Sequence, residues 1–540
     1  MRTFELVLLT LLALRLAAVL ARGGSGAALR GLATVAVGAA LVAHVALEGT
    51  RWPLLPAYAL AVLLVALLPF ERPHREAPRL RMGRNRRKRD PLPWGRALAG
   101  SVVLVLAALL GWVLPVPRLP APTGAWAVGS VAFPLELVDA RGAAVGAGGT
   151  TMVRLWYPSP RDDGATVASA NAAPAAAPAA FGTAAQVAAS APPRFGTAAP
   201  WIERADRLLP AMAVSGGLPA WAFGHLGLVR SWSAWAAPLA PPADAAGWPV
   251  VTFDHGLGGF RSQNTFLAEE LASHGAVVLA VEHPGGSLLT VLPDGTERPF
   301  EPLPRAEVPD YGAAVAALGA RWTAETLAAL KALRHVRPDG PLGAFAGALD
   351  LGRGVATGHS MGGAVAIDVC HAWDGCAAAL ALDGWWLPMD AARRAAGPDK
   401  PLVSVASDPA VGYFAQANRE RFEAFVAGGA ASVVDLVLDG SGHHDLNDTA
   451  LLSPIADRFG HSTGPVPAAS AFAALRELAL AIVGATAAAP AGAPAAADAT
   501  SAADATSALV ASAALRAAAD HPVLVPGDAA FAVSTPAERP

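Results

Sequence analysis

Residues 356–365 read ATGHSMGGAV. Within them GHSMG, at 358–362, fits GxSxG, a pattern in which glycines flank a serine because a sharp turn from strand to helix leaves no room for side chains beside it. The run MGGAVAIDVCHAW that follows has helical composition, and RGVAT ahead of it reads as a strand. Strand, turn and helix in that order predict an α/β unit with Ser360 at its corner. A lone GxSxG also arises by chance in glycine-rich loops, so the reading depends on whether a base, an acid and an oxyanion site occur elsewhere.

Outward from this corner, from about Gly124, short β-rich runs alternate with helix-length amphipathic runs. TMVRLWY (151–157), VVTFD (250–254), AVVLAVE (276–282), AAALALD (377–383), LVSVAS (402–407) and SVVDLVL (432–438) read as strands. Asn264–His274, Tyr311–His335, Met361–His371, Tyr413–Val426 and Ala468–Ile482 read as helices. The alternation predicts an α/β domain over 122–484, with a mostly parallel sheet and helices on both faces. Residues 160–200, rich in Ala, Pro and Ser, read as a flexible insertion, and 485–540 as a disordered Ala/Pro-rich tail.

A serine hydroxyl needs a base to take its proton and a carboxylate to orient that base. Asp383 closes AAALALD, and DGSGHHDLND lies past the last predicted strand, giving the order Ser360, Asp383, His443. Asp408, directly after LVSVAS, competes for the role of acid, and His444 for that of base. DHGLGGF, at 254–260, leaves the strand VVTFD with glycines that let the backbone approach a ligand, so the amide of Leu257 can pair with that of Met361 on a developing oxyanion. His-His-Asp also suits a metal, but no second ligand group of suitable spacing accompanies it; no metal or cofactor is expected. Trp385 and Trp386, next to Asp383, are candidates for core packing or for an apolar acyl pocket.

The composition points to a lipid environment: 54% of residues are hydrophobic and 15% charged, and a net charge of −3 gives no reason to expect nucleic acid. Residues 97–117 carry no charge and suffice for a membrane span; 52–70 and 31–47 read as further spans. Phe4–Ala21 is interrupted by Arg15, so it is a poor span, a signal anchor or an interfacial helix. In a four-span arrangement Glu5 falls near the outer end and Arg15 near the inner end, where it can snorkel. Residues 1–118 therefore form a membrane region of three to four helices. Residues 71–96 carry ten Lys or Arg, which places that loop in the cytoplasm and everything from Arg118 onward outside the cell membrane. Cys370 and Cys376 are the only cysteines, and spacing alone leaves pairing and two free thiols equally open.

RLWYPS, FDHGLGGFRS, LASHGAVVLAVEH, GHSMGGA, ALDGWWLP and GSGHHDLND together resemble landmarks of the plasma and type II platelet-activating factor acetylhydrolases and their bacterial relatives within the α/β-hydrolase fold. The resemblance runs from about Val128 to Ile482; residues 160–245 match poorly, and the membrane region has no counterpart in the best-known members. It implies Ser360 as nucleophile, Asp383 as acid, His443 as base, and the Leu257 and Met361 amides as oxyanion donors. It further implies a serine esterase or lipase acting on acyl esters, with phospholipids of short or oxidised acyl chain among the candidates. An acyltransferase using the same triad is an alternative, as is a non-catalytic binding protein on a hydrolase fold. The sequence is silent on oligomeric state.

Overall fold

The computed structural model describes residues 1–20, 23–70, 93–138, 143–146, 149–161, 196–429, 431–458, 462–488, 499–527 and 533–534. Nearly all of the basic loop and of the 160–200 insertion therefore lies outside the described residues.

The chain divides into two compact units. Among the described residues the first holds four α-helices: α1 (Thr3–Ala17), α2 (Gly23–Glu48), α3 (Leu55–Leu67) and α4 (Pro93–Val113). Leu8, Leu12, Leu54, Ala57 and Ala61 fill their interior. Large apolar residues also face outward, with Leu32, Val42 and Leu98 exposed to 70%, 69% and 68%, the reverse of a water-facing surface. Gly26–Glu48 is long and apolar enough to cross a membrane; Ala468–Ala488 meets the same criterion, yet half of it is buried.

Charges sit inside this bundle. Glu5 accepts from Arg51 Nη2 at 2.6 Å and from Arg2 Nε at 2.7 Å. Arg51 also donates to the carbonyls of Leu114 (2.5 Å) and Gly111 (3.1 Å). Nearby, His44 bridges Tyr58 Oη (2.7 Å) and Glu48 (3.1 Å). The start of α1, the end of α2, the start of α3 and the end of α4 thus share one end of the bundle, so the helices run alternately up and down. Arg15 does not snorkel: it is buried, and its Nε donates to Thr34 Oγ1 at 2.5 Å. A hydrogen-bonding partner within reach outweighs a long excursion to the interface.

Two later stretches, Trp221–Val229 and Leu452–Ile455, belong to this first unit, so the second is not the continuous 122–484 block expected. Trp221 lies edge-on to Trp52 at 4.7 Å, and Trp52 Nε1 donates to the Ala222 carbonyl at 2.9 Å.

The second unit carries the main sheet. Its strands are β1 (Ala127–Glu136), β2 (Thr150–Ser159), β3 (Ala198–Pro200), β4 (Arg230–Trp235), β5 (Trp248–Asp254) and β6 (Val277–Val281), then, after the small hairpin β7–β8 (Leu289–Val291, Glu297–Pro299), β9 (Leu349–His359), β10 (Cys376–Leu382), β11 (Leu402–Ser407), β12 (Val433–Leu438), β13 (Leu524–Pro526) and β14 (Val533–Ser534). The spatial order is β13-β12-β11-β10-β9-β5-β6-β2-β1-β4-β3, with β14 also on β12. From β6 to β12 the neighbours are parallel, while β2 is antiparallel to both β1 and β6. The mostly parallel sheet expected from the alternating pattern is present.

Helices α5 (Ala205–Ser215), α6 (Thr265–Ser273), α7 (Tyr311–Arg334), α8 (Met361–Ala372), α9 (Ala391–Ala396), α10 (Gln416–Gly428), α11 (Ala468–Ala488) and α12 (Ala499–Ala519) complete the unit. One core layer contains Trp322 of α7, Val365 of α8 and Phe422 of α10. The other contains Phe266 of α6 stacked on Phe472 of α11 at 4.1 Å. Each such side chain contributes about 1.5–3 kcal/mol by leaving water. Cys370 and Cys376 form a disulfide.

The expected disordered tail is corrected in part. Ala499–Ala519 forms α12, and β13 and β14 pair with β12. Val510, Ala511, Ala514 and Ala517 are buried in the second core layer. Alanine has the highest helix propensity, and small side chains suffice for a face lying close to α11.

Candidate active site

β9 ends at His359 and α8 begins at Met361, so Ser360 alone makes the turn, at φ 58° and ψ −120°. Its neighbours must be small. A Cβ on Gly358 would lie 2.1 Å from the Gly362 carbonyl oxygen, and one on Gly362 would lie 2.0 Å from that of Asp254. The glycines of GxSxG thus let α8 close against the end of β5.

β10 leads into Asp383, also at positive φ (44°). Its Oδ1 accepts the Ser407 amide at 2.9 Å, and its Oδ2 lies 2.5 Å from His443 Nδ1. His443 opens a short 3-10 turn in which Asp445 accepts the amides of Gly442 (2.7 Å) and Gly464 (2.6 Å). Burial, reinforced by the nearby His444, holds the His443 pKa well below the ordinary histidine value, so the ring is neutral and able to accept a proton. The rivals are engaged elsewhere: Asp408 accepts the amides of Gly440 (2.9 Å) and Ala410 (2.7 Å), and His444 Nδ1 faces Asn447 at 3.2 Å.

The structure does not join Ser360 Oγ to the imidazole; among the described residues the hydroxyl makes no hydrogen bond. Such contacts are commonly long before substrate binds. Its backbone is close to Asp383, the Ser360 amide donating to the Leu382 carbonyl (2.9 Å) and the Ser360 carbonyl accepting from the Trp385 amide (2.9 Å).

The loop after β5 passes beside the serine, and a Cβ on Gly256 would lie 3.1 Å from Ser360 Cβ. Among the described residues, neither the Leu257 nor the Met361 amide has a protein acceptor, leaving two donors at the corner. Trp386 belongs to the core, stacked on Phe422 at 4.8 Å, while Trp385 is half-buried.

Several residues that organise this site were not read from the sequence. Gln263 Oε1 accepts the Gly256 amide (2.9 Å), and its Nε2 faces His359 Nδ1 (3.3 Å). His359 Nε2 in turn donates to the His443 carbonyl at 2.9 Å, tying the loop after β5 to the histidine turn. Asp448 accepts the Thr265 and Phe266 amides at the start of α6 (2.8 and 3.1 Å) and Trp201 Nε1 (2.9 Å). Tyr413 stacks on His443 with ring centroids 4.0 Å apart. The motifs FRSQN and LND held Gln263 and Asp448, but nothing in the spacing distinguished them from ordinary polar loop residues.

Beneath the loop lies a second buried array. His283 bridges Asp254 Oδ1 (3.0 Å) and Glu325 Oε2 (2.8 Å) and stacks on Trp322 at 4.1 Å. Burial disfavours its charge, but the hydrogen bonds and charges of the two carboxylates outweigh that and raise its pKa to about 9.

A model of the family described as "Platelet-activating factor acetylhydrolase, isoform II" matches residues 220–292, which include β5, the Leu257 loop, α6 and β6. The platelet-activating factor acetylhydrolase of Cavia porcellus is 28% identical over 244 residues, covering 41% of this chain and 52% of that protein. That of Canis lupus familiaris is 26% identical over 200 residues, covering 34% and 44%. The chain is similar to the platelet-activating factor acetylhydrolases over part of its length. It spans about half the length of these two relatives. Ser360, Asp383 and His443 fall outside the stretch matched by the acetylhydrolase family model, whereas Leu257 falls within it. A solved structure of a ferulic acid esterase from Streptomyces cinnamoneus is 24% identical, with a TM-score of 0.48 over 68% of this chain and 92% of that one.

Proposed function

We propose that this chain is a membrane-anchored serine ester hydrolase acting through an acyl-enzyme, with phospholipids of short or oxidised acyl chain in its substrate class. The observation that carries the reading is the Asp383–His443 pair, at 2.5 Å, beside a serine held at positive φ. Ser360 Oγ attacks the ester carbonyl while His443 Nε2 takes its proton, and Asp383 holds the imidazole in one tautomer and offsets its positive charge. The free amides of Leu257 and Met361 receive the developing oxyanion, supplying charge stabilisation in the transition state rather than the ground state. His443 returns the proton to the departing alkoxide, and water repeats the sequence on the acyl-enzyme. The names of the relatives support an acetyl or similarly short acyl group.

Anchoring by a multi-pass region, with residues from Arg118 onward outside the cytoplasm, is supported by the apolar outer surface of α1–α4 and by ten Lys or Arg within 71–96. The Cys370–Cys376 disulfide suits an oxidising compartment.

The test is turnover by the full chain in detergent against esters of graded acyl length, with and without acceptor alcohols. Hydrolysis that falls as the acyl chain lengthens supports the reading. Acyl transfer to the added alcohol in place of hydrolysis would make the enzyme a transferase, and no turnover of any ester would leave the hydrolase reading without support.

A further inference from the structure

We propose that Tyr413 is a positioning residue that covers one face of the His443 imidazole and holds it in line between Asp383 and Ser360. The inference rests on the reading of His443 as the base. The Tyr413 and His443 rings are parallel to within 7°, with centroids 4.0 Å apart, and Phe414 meets the same imidazole edge-on at 5.0 Å. His359 packs against it at 4.4 Å.

The loop bearing Tyr413 is rooted beside the base. Asp408, at its start, donates its amide to Ser441 at 3.0 Å and accepts the Gly440 amide at 2.9 Å, two and three residues before His443. Gly412, at φ 76°, then turns the chain so that the aromatic pair Tyr413–Phe414 reaches back to the ring. His443 is 2% exposed while Tyr413 is 43% exposed, so the tyrosine is the layer between the imidazole and solvent. Among the described residues the Tyr413 hydroxyl has no hydrogen-bond partner, which assigns the contact to the ring face.

A general base must keep one nitrogen on its orienting carboxylate while the other points at the proton it takes. The hydrogen bond from His443 Nδ1 to Asp383 fixes one ring atom but leaves rotation about that contact, and a parallel ring at van der Waals distance restrains it. The same cover keeps water from the imidazole. The ionisable groups facing His443 are Asp383 at Nδ1, the rings of His359 and His444, and Tyr413 itself; Asp445 and Asp408 are turned to backbone amides. Burial is the main reason the His443 pKa lies low, so uncovering the ring moves it toward the ordinary value.

The experiment compares wild type, Tyr413→Phe and Tyr413→Ala as full chains in detergent, measuring kcat, KM and the pH profile of kcat/KM on a small soluble ester. Tyr413→Ala is expected to lose about tenfold or more in kcat, part of the range a positioned base contributes. Its KM should change little and the acid limb of the profile should move to higher pH. Tyr413→Phe should restore both. An alanine variant with wild-type kcat and acid limb overturns the inference, as does one in which KM alone rises, which would make Tyr413 a substrate contact. Wild-type protein that turns over no ester would instead overturn the reading of the site itself.

Discussion

Ser360 and Asp383 share an unusual property: both are non-glycine residues at positive φ, at 58° and 44°. Such conformations cost about 1–3 kcal/mol each and persist where the surroundings enforce them. Here β9 and β10 lie side by side, each is followed directly by its strained residue, and the Ser360 amide and carbonyl are bonded across to the chain around Asp383. The sequence already held two candidates for the proposed acid, one after each of two successive strands, and the 2.5 Å contact between Asp383 Oδ2 and His443 Nδ1 supports the first. Asp383→Asn should lower turnover by orders of magnitude, about 10⁴ by analogy with a well-studied triad, with little loss of stability. Asp408→Asn should keep turnover within about tenfold, since its contacts are to loop amides. Kinetics of both variants on one soluble ester checks this; a severe Asp408 defect beside an active Asp383 variant would move the acid to the later strand.

At the scale of elements, the loop after β5 is fastened from below by charge. Asp254, the last residue of β5, accepts from His283 and from Thr326 Oγ1 (2.5 Å), and His283 is held by Glu325 of α7. A histidine raised from 6.5 to about 9 favours the folded state fully below its unfolded pKa, and that contribution is lost as pH rises through about 9. The buried carboxyls Glu269 and Asp448, each raised to about 7 with burial as the main cause, act in the same direction at lower pH. Thermal unfolding of the wild type should therefore weaken between about pH 6.5 and 9, and His283→Gln should be less stable at pH 6 but show a shallower decline above pH 7. Parallel curves for the two proteins would show that His283 is not charged in the folded state. The strands and helices were largely legible because burial imposes periodicity on VVTFD, LVSVAS and MGGAVAIDVCHAW alike. The charge array was not, because Asp254, His283 and Glu325 are 29 to 71 residues apart and meet only once β5, β6 and α7 have packed.

Across the whole molecule, legibility followed the same rule. The places of Ser360, Asp383 and His443 in the fold were readable from short motifs, each following a strand. Tyr413 and His359 were not, since one meets His443 by ring stacking and the other by a hydrogen bond to its carbonyl, neither of which spacing shows. Alanine content misled at the C-terminal end, where composition alone suggested disorder and α12 buries an alanine face. Charge content was ambiguous at the other end: Glu5 and Arg15 argue against a span only if they face lipid, and both are buried among partners within the helix bundle. A reporter fused after Val116 should accordingly be active only outside the cytoplasm, and one fused near Lys88 only inside; the reverse pattern would invert the proposed topology. The most direct measurement of the central claim is to treat the full-length protein with a fluorophosphonate and find the modified residue by peptide mass spectrometry. The account predicts a single adduct on Ser360 that is absent from Ser360→Ala; an adduct that persists in that variant, or one carried by another serine in the wild type, would contradict it.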